Sequence, residues 1–127
     1  MKLKEIQKIV EETLPKIIEH YGVSKFQDCT PYIDYDTSIY ARLSGEEDME
    51  GEQNPDAEYC NMNNEIIIYY PKMEDKQHIV ETLVHEYQHY LQSPTWMKRY
   101  YNMGYGYSDH PYEVAATKEE SNYKMFM

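Results

Sequence analysis

Cysteine, basic residues and long apolar runs are all scarce in this sequence, and each scarcity excludes a class of protein. The two cysteines, Cys29 and Cys60, have neither a metal-binding nor a redox spacing, so we expect free thiols, with a single disulfide as the alternative. No stretch approaches the ~20 apolar residues that a membrane span needs. The charged N-terminal segment is not a signal peptide, so we expect a cytoplasmic protein.

The shortage of basic residues gives the chain a strongly negative field. Twelve Lys and Arg face 23 Asp and Glu, for a formal net charge of −11. Such a field repels the phosphates of nucleic acids and anionic membrane surfaces, so we expect neither as a partner. A neutral or cationic peptide is compatible with it. The 127 residues have room for one domain, 1–127, with one core, and we expect a monomer.

The first half of the chain predicts one helix followed by strands. Apolar residues recur at three- and four-residue steps from Leu3 to Tyr21, which indicates an amphipathic helix capped by Gly22. Pro15 should kink or split it. One or two strands are predicted over 29–43, with a turn near 34–37, followed by an acidic solvated loop over 45–58. The segment 65–70, EIIIYY, is the strongest strand signal.

The second half predicts two helices separated by a loop. Asp75 is a suitable N-cap for a helix that runs to Gln92, where Ser93 and Pro94 should end it. Residues 94–110 are loop-like and rich in tyrosine. A last helix should start near 109, with Pro111 in its first turn. The chain has 15 tyrosines, and each one that packs inside needs a partner for its hydroxyl.

The segment HEYQH, 85–89, is the pattern that carries chemistry. His85 and His89 are four positions apart, which on a helix places both rings on one face, where they can reach one metal ion. Glu86 lies beside the first histidine, where it can deprotonate a metal-bound water. The competing explanation is a chance motif on a helix surface. The predicted helix around the motif favours the metal site.

A catalytic zinc normally has three protein ligands and one open position. Two residues downstream are chemically suitable as the third ligand: His110, at the start of the last helix, and Glu113, within it. A histidine at 110 could alternatively complete a closed, four-ligand structural site.

HEYQH followed by Glu113 on a helix in the string HPYEVAA resembles the gluzincins, and the short chain is most similar to the minigluzincins. The resemblance implies His85, His89 and Glu113 as zinc ligands and Glu86 as the general base. It implies an α+β, zincin-like fold: a small mixed or antiparallel sheet packed on an N-terminal helix and an active-site helix, with a C-terminal glutamate helix. It also implies that EIIIYY is the edge strand that pairs with an extended peptide.

The expected function is therefore that of a zinc metallopeptidase, a hydrolase that cleaves peptides or proteins through a zinc-bound water activated by Glu86. The transition-state oxyanion needs a second electrophile, and the candidates are Tyr105, Tyr107 and His110. His110 is favoured because one helical turn separates it from Glu113. The alternative is a zinc-binding interaction module, or a latent peptidase, that recognises a partner without turnover. Iron or manganese could also occupy two histidines and a carboxylate.

Overall fold

The computed structural model describes residues 1–37 and 55–127, which form a small α+β fold. The main elements, in chain order, are helix α1 (Leu3–Tyr21), strands β1 (Tyr32–Asp36), β2 (Ala57–Cys60) and β3 (Glu65–Tyr69), and helices α2 (Lys76–Leu91), α3 (Pro94–Asn102) and α4 (Pro111–Glu119). Short 3-10 helices follow β3 and α4, at Tyr70–Lys72 and Glu120–Met125. Within the described ranges, none of the helices has the length and apolar character needed to cross a membrane.

Helix α1 is the amphipathic helix that the periodicity predicts. Ile6, Val10 and Ile17 are buried on one face, and the helix ends at Gly22, whose φ of 80° is easy for glycine. The helix is continuous across Pro15, so the expected split does not occur. Proline removes the hydrogen bond to the carbonyl of Glu11, and water can satisfy that carbonyl because both residues are exposed.

The three strands form a mixed sheet in the order β1-β3-β2, with β1 parallel and β2 antiparallel to β3. The EIIIY strand is therefore central, and the expectation that it is the cleft edge is wrong. Pairing on both sides explains the unbroken apolar run, because Ile66, Ile67 and Ile68 are all buried. Strand β2 is the outer neighbour of β3 on the side of the candidate site.

Two other predictions for the first half need correction or lie outside the described residues. The turn expected near 34–37 is not present at 34–36, because β1 runs through Asp36. The acidic loop expected over 45–58 ends earlier than predicted, since β2 begins at Ala57. The second strand expected before residue 43, and the acidic stretch up to residue 54, lie outside the described residues.

The core lies between one face of the sheet and the helices α1 and α2. Buried side chains from all three meet there: Ile6, Val10, Ile17, Ile66, Ile68, Ile79, Leu83 and Tyr87. Tyrosine hydroxyls at its boundary have partners, as predicted. Tyr87 donates to the carbonyl of Gly22, Tyr90 to the carbonyl of Cys29 at 3.0 Å, and Tyr59 to the side chain of Asn64 at 2.8 Å. Cys29 and Cys60 are free thiols.

Helix α2 has the predicted start, because the Asp75 side chain accepts a hydrogen bond from the backbone N–H of His78 at 2.8 Å. The segment after it was expected to be a loop, but its first part, Pro94–Asn102, forms helix α3. Ser93 and Pro94 end α2 and also begin α3: the Ser93 hydroxyl accepts from the N–H of Trp96, and Pro94 occupies the first turn. Helix α4 begins at Pro111, close to the predicted position.

Candidate metal centre

Helix α2 carries both motif histidines on one face. Their rings are partly buried, and the Nε2 atoms of His85 and His89 are 3.2 Å apart. This is the arrangement expected for residues four apart on a helix, one turn from each other. The two nitrogens therefore point to the same place.

Helix α4 brings the third group to that place. Glu113, 9% exposed, lies in the first turn of α4. Its Oε2 is 3.1 Å from Nε2 of His85, and its Oε1 is 2.7 Å from Nε2 of His89. The three residues each offer a ligand atom within 4.8 Å of the others, so the group could hold a metal ion. Ligand atoms around a tetrahedral ion with bonds of ~2 Å lie roughly 3.3 Å apart, and the 3.2 Å between the two Nε2 atoms matches that separation.

A second set of contacts orients the two histidines. Nδ1 of His85 lies 2.7 Å from Oε2 of Glu120, and Nδ1 of His89 lies 2.7 Å from Oε1 of Gln92. Gln92 donates in turn to the backbone carbonyl of Tyr112 at 3.1 Å, which ties α2 to α4. Acceptors at both Nδ1 atoms favour a proton there, so that each Nε2 can exchange its proton and its contact with Glu113 for a bond to a metal. Sequence reasoning missed Glu120, although its position two helical turns after Glu113 is a usable signal.

The pKa shifts of His85 and Glu113 both indicate an ion pair between the histidines and the carboxylate. Burial alone would lower the pKa of His85, but hydrogen bonds to Glu113 and Glu120 outweigh it and raise that pKa to about 10. Burial would likewise raise the pKa of Glu113, but hydrogen bonds from His85 and His89 lower it to about 2. Glu113 is therefore a carboxylate, the form that binds a cation.

Glu86 lies beside this group and is 8% exposed. No described residue forms a hydrogen bond with its carboxyl group. Burial raises the pKa of Glu86 to about 7, and positive charge on His89 and His85 only partly opposes that effect. A carboxyl group with a pKa near neutrality can both accept and return a proton.

His110 does not join the site, which argues against the catalytic role expected for it. Its side chain is fully buried, with Nε2 3.0 Å from the carbonyl of Met97 and Nδ1 accepting from the N–H of Tyr112 at 3.1 Å. Both ring nitrogens are thus engaged, and the residue caps α4 and attaches it to α3. The one-turn spacing to Glu113 failed as a guide because an N-cap side chain folds back onto its own helix.

Of the other candidates for oxyanion stabilisation, Tyr107 is the one at the site. Most of the Tyr107 side chain is exposed, but its hydroxyl lies against Glu113. Burial of the hydroxyl, with the negative charge of Glu113, raises its pKa well above the usual range for tyrosine. Tyr105 instead packs edge-on against Tyr100, with ring centroids 5.8 Å apart. Tyr107 therefore supplies a protonated hydroxyl close to the metal-binding group.

Two cavities flank the metal-binding group. The larger, about 530 Å³, lies on the His89 side and has a largely apolar wall from Tyr59, Pro94, Met97 and Tyr101. The smaller, about 230 Å³, lies on the His85 side. Pro55, Ala57, Glu86 and Tyr107 line both. The two cavities are therefore halves of one cleft that crosses the site.

Strand β2 forms one wall of this cleft. The N–H of Tyr69 donates to the carbonyl of Asp56 at 3.0 Å, which makes that pair hydrogen-bonded in the antiparallel ladder. The alternation along the ladder then turns the backbone groups of Ala57 and Tyr59 away from β3. In the part of the chain that the structure describes, β2 pairs only with β3.

Comparisons of the chain with protein-family models, with curated proteins and with solved structures found no match. What the fold and the site define is a small α+β protein with a His-His-Glu group that could hold a metal ion.

Proposed function

We propose that this protein is a zinc-dependent metallopeptidase with a zincin-like fold and a gluzincin ligand set. One observation carries the proposal: Nε2 of His85, Nε2 of His89 and the carboxylate of Glu113 converge beside the buried, unpaired carboxyl group of Glu86. A metal site that only stabilises a fold has no use for such a base. The combination is what metal-assisted hydrolysis requires.

The number of protein ligands favours catalysis over a structural role. Structural zinc sites are usually closed by four protein ligands, whereas catalytic sites have three and keep one free. Among the described residues, three belong to the group, and His110, which could have been the fourth, is engaged with Met97 and Tyr112. His85, His89 and Glu113 line the cleft, so a substrate in it would reach a metal held by them.

The donor set favours zinc. Two imidazoles and one carboxylate are a common catalytic zinc set, and both histidines have the Nδ1 acceptors that such ligands use. When bound, zinc polarises a carbonyl group and lowers the pKa of water in its coordination shell to near 7. A divalent cation beside Glu86 also favours the carboxylate form of this residue, which is the form that acts as a base.

The side chains of the cleft then have separate roles. Glu86 takes a proton from the attacking water and later gives it to the leaving amine. The hydroxyl of Tyr107 donates a hydrogen bond to the oxyanion that develops on the scissile carbonyl. The outward backbone groups of Ala57 and Tyr59 pair with an extended peptide, so β2 takes the role that the resemblance to gluzincins implied for β3.

The test combines zinc content, by elemental analysis, with cleavage of a peptide library. We expect wild-type protein to bind one zinc per chain and to cleave. Glu86→Gln should keep its zinc and lose at least about a hundredfold in rate, because a general base contributes 10²–10⁴-fold. Glu113→Ala should lose most of its zinc, because it removes one of three ligands.

Glu12→Gln is the matched control, since it makes the same change in charge at an exposed position on α1. Circular dichroism on every variant separates loss of a ligand from loss of the fold. A wild-type protein that stays metal-free when zinc is supplied would overturn the proposal. So would a Glu86→Gln variant that cleaves at the wild-type rate.

A further inference from the structure

The smaller half of the cleft, on the His85 side, is acidic. Four carboxylates line it, from Asp56, Glu81, Glu86 and Glu120. No lysine or arginine is among its described lining residues, and its one other ionisable group besides His85 and Tyr107 is His78, which lies 2.7 Å from Asp56. The larger half also has carboxylates in its lining, from Glu58, Glu86 and Glu113, but it includes Lys98 and a largely apolar wall. The two halves therefore offer different chemistry to a bound peptide.

Two of these carboxylates have charge to offer a ligand. Asp56 is compensated by His78 and by Lys72, whose Nζ is 3.8 Å away, and Glu120 holds His85 through one of its oxygens. Glu81 has no hydrogen bond or ion pair with any described residue. Glu86 is more than nine-tenths buried, lines the same cavity and forms no hydrogen bond with a described residue. A buried carboxylate without a partner is costly unless a cation or a donor completes the site.

The direction of β2 says which part of a peptide enters this half. The strand runs from Ala57, with Asp56 just before it at the smaller cavity, towards Tyr59 and Asn61 at the larger one. A peptide that pairs antiparallel with β2 runs the other way, so its C-terminal part lies at Asp56. The part of the peptide that follows the scissile bond therefore lies beside the acidic cavity.

Resting on the proposed peptidase function, we infer that this protein selects cationic peptides, with lysine or arginine directly after the scissile bond and a large apolar residue before it. The cavity volume of about 230 Å³ admits one long side chain. The head group meets Glu81, with Glu86 and Glu120 behind it, while the aliphatic stem lies along Thr82 and Pro55. The net charge of −11 attracts the same substrates at longer range.

The first test measures binding without turnover. Metal-free protein is titrated calorimetrically with short blocked peptides in which phenylalanine is followed by lysine, glutamine or glutamate. We expect the lysine peptide to bind about fivefold more tightly than the glutamine peptide, the range of a partly exposed ion pair, and the glutamate peptide to bind least tightly. Glu81→Gln should remove the preference for lysine, and the control Glu12→Gln should retain it. Equal affinity for lysine and glutamine peptides in wild type would overturn the inference.

The second test is cleavage-site profiling of a peptide library by zinc-loaded wild type, Glu81→Gln and Glu12→Gln. We expect a basic residue after the cleaved bond in wild type and in Glu12→Gln, and a weakened preference in Glu81→Gln. Cleavage with no basic preference would refute the inference and leave the peptidase proposal intact. Lysine-selective binding in a protein that never cleaves would refute the peptidase proposal and leave the acidic cavity as a cation-binding site.

Discussion

At the scale of single residues, the metal-binding group depends on side chains outside it. The Glu120 carboxylate contacts Nδ1 of His85 at 2.7 Å and holds the ring so that Nε2 faces Glu113. Glu120 lies seven residues beyond Glu113, where α4 gives way to a 3-10 helix. The end of one helix thus determines the orientation of a ligand on another.

Glu120→Ala is expected to weaken zinc binding about 10- to 100-fold, the usual cost of losing a partner of a ligating histidine. The dissociation constant would be measured by competition with a coloured zinc chelator. The cleavage rate of fully zinc-loaded protein should change much less, because the three ligands remain. An unchanged dissociation constant would mean that the Glu120 contact does not orient His85.

Tyr107 provides a second prediction at this scale. Tyr107→Phe removes the hydroxyl beside Glu113 and retains the ring, so zinc content and KM should change little while kcat falls by about 10²-fold. Tyr105→Phe is the matched control, because Tyr105 packs against Tyr100 and is not among the residues that line the two cavities. Equal kcat values for the two variants would contradict the assigned role of Tyr107.

At the scale of elements, the short helices α3 and α4 are joined by the buried ring of His110. The ring accepts from the backbone N–H of Tyr112 in α4 and contacts the carbonyl of Met97 in α3. Tyr101 and Tyr100 pack on it, with ring centroids 4.4 and 5.4 Å away. The position of Glu113, three residues into the last helix, follows from this cap.

His110→Ala is expected to lower the free energy of unfolding by about 2–4 kcal/mol, because it removes a helix cap, leaves the Met97 carbonyl without its donor and opens a cavity. Urea unfolding would measure the loss. His110→Asn should recover part of it, since asparagine is a good N-cap. The rate per bound zinc should stay near that of wild type. If His110→Ala instead lowers the cleavage rate per bound zinc and leaves the free energy of unfolding unchanged, His110 has the catalytic role that its spacing to Glu113 suggested.

At the scale of the whole molecule, tyrosine replaces phenylalanine as the packing aromatic, and this makes stability sensitive to alkali. Burial, assisted by the charge of Glu11, raises the pKa of Tyr35 to about 12, and burial raises that of Tyr59 to about 12. In the unfolded chain both have a pKa of about 10. The protonated form is thus favoured by folding. The contribution of these two tyrosines to the free energy of unfolding is fully present below about pH 10 and is lost as the pH rises through about 12.

We therefore expect the urea midpoint to be steady up to about pH 9 and to fall by about pH 11. Near-ultraviolet absorbance of phenolate would show late-titrating tyrosines in the folded protein. Tyr35→Phe should reduce the alkaline loss relative to wild type. An identical pH profile for the variant would mean that ionisation of Tyr35 is not coupled to unfolding.

The features that the sequence by itself determined are those that depend on residues close together in the chain. The periodicity of α1, the Asp75 cap of α2, the Pro111 start of α4 and the i, i+4 spacing of His85 and His89 each depend on residues within a few positions of one another. The hydroxyls of Tyr59, Tyr87 and Tyr90 have partners for the same reason that buried tyrosines were expected to need them. Ser93 and Pro94 were interpreted only as a stop because the same pair can end one helix and cap the next.

Only the tertiary structure decided the pairing of distant elements. The run EIIIY predicts a strand whether it lies at an edge or in the centre, and β3 is central because β1 and β2 both pair with it. His110 and Glu113 were both chemically suitable ligands, and the packing of α4 on α2 turns Glu113 to the histidines while the N-cap geometry turns His110 to Met97. The acidic cavity combines residues at the start of β2, in α2 and in the 3-10 helix after α4. These residues are far apart in the sequence, so no local pattern predicts that they lie together.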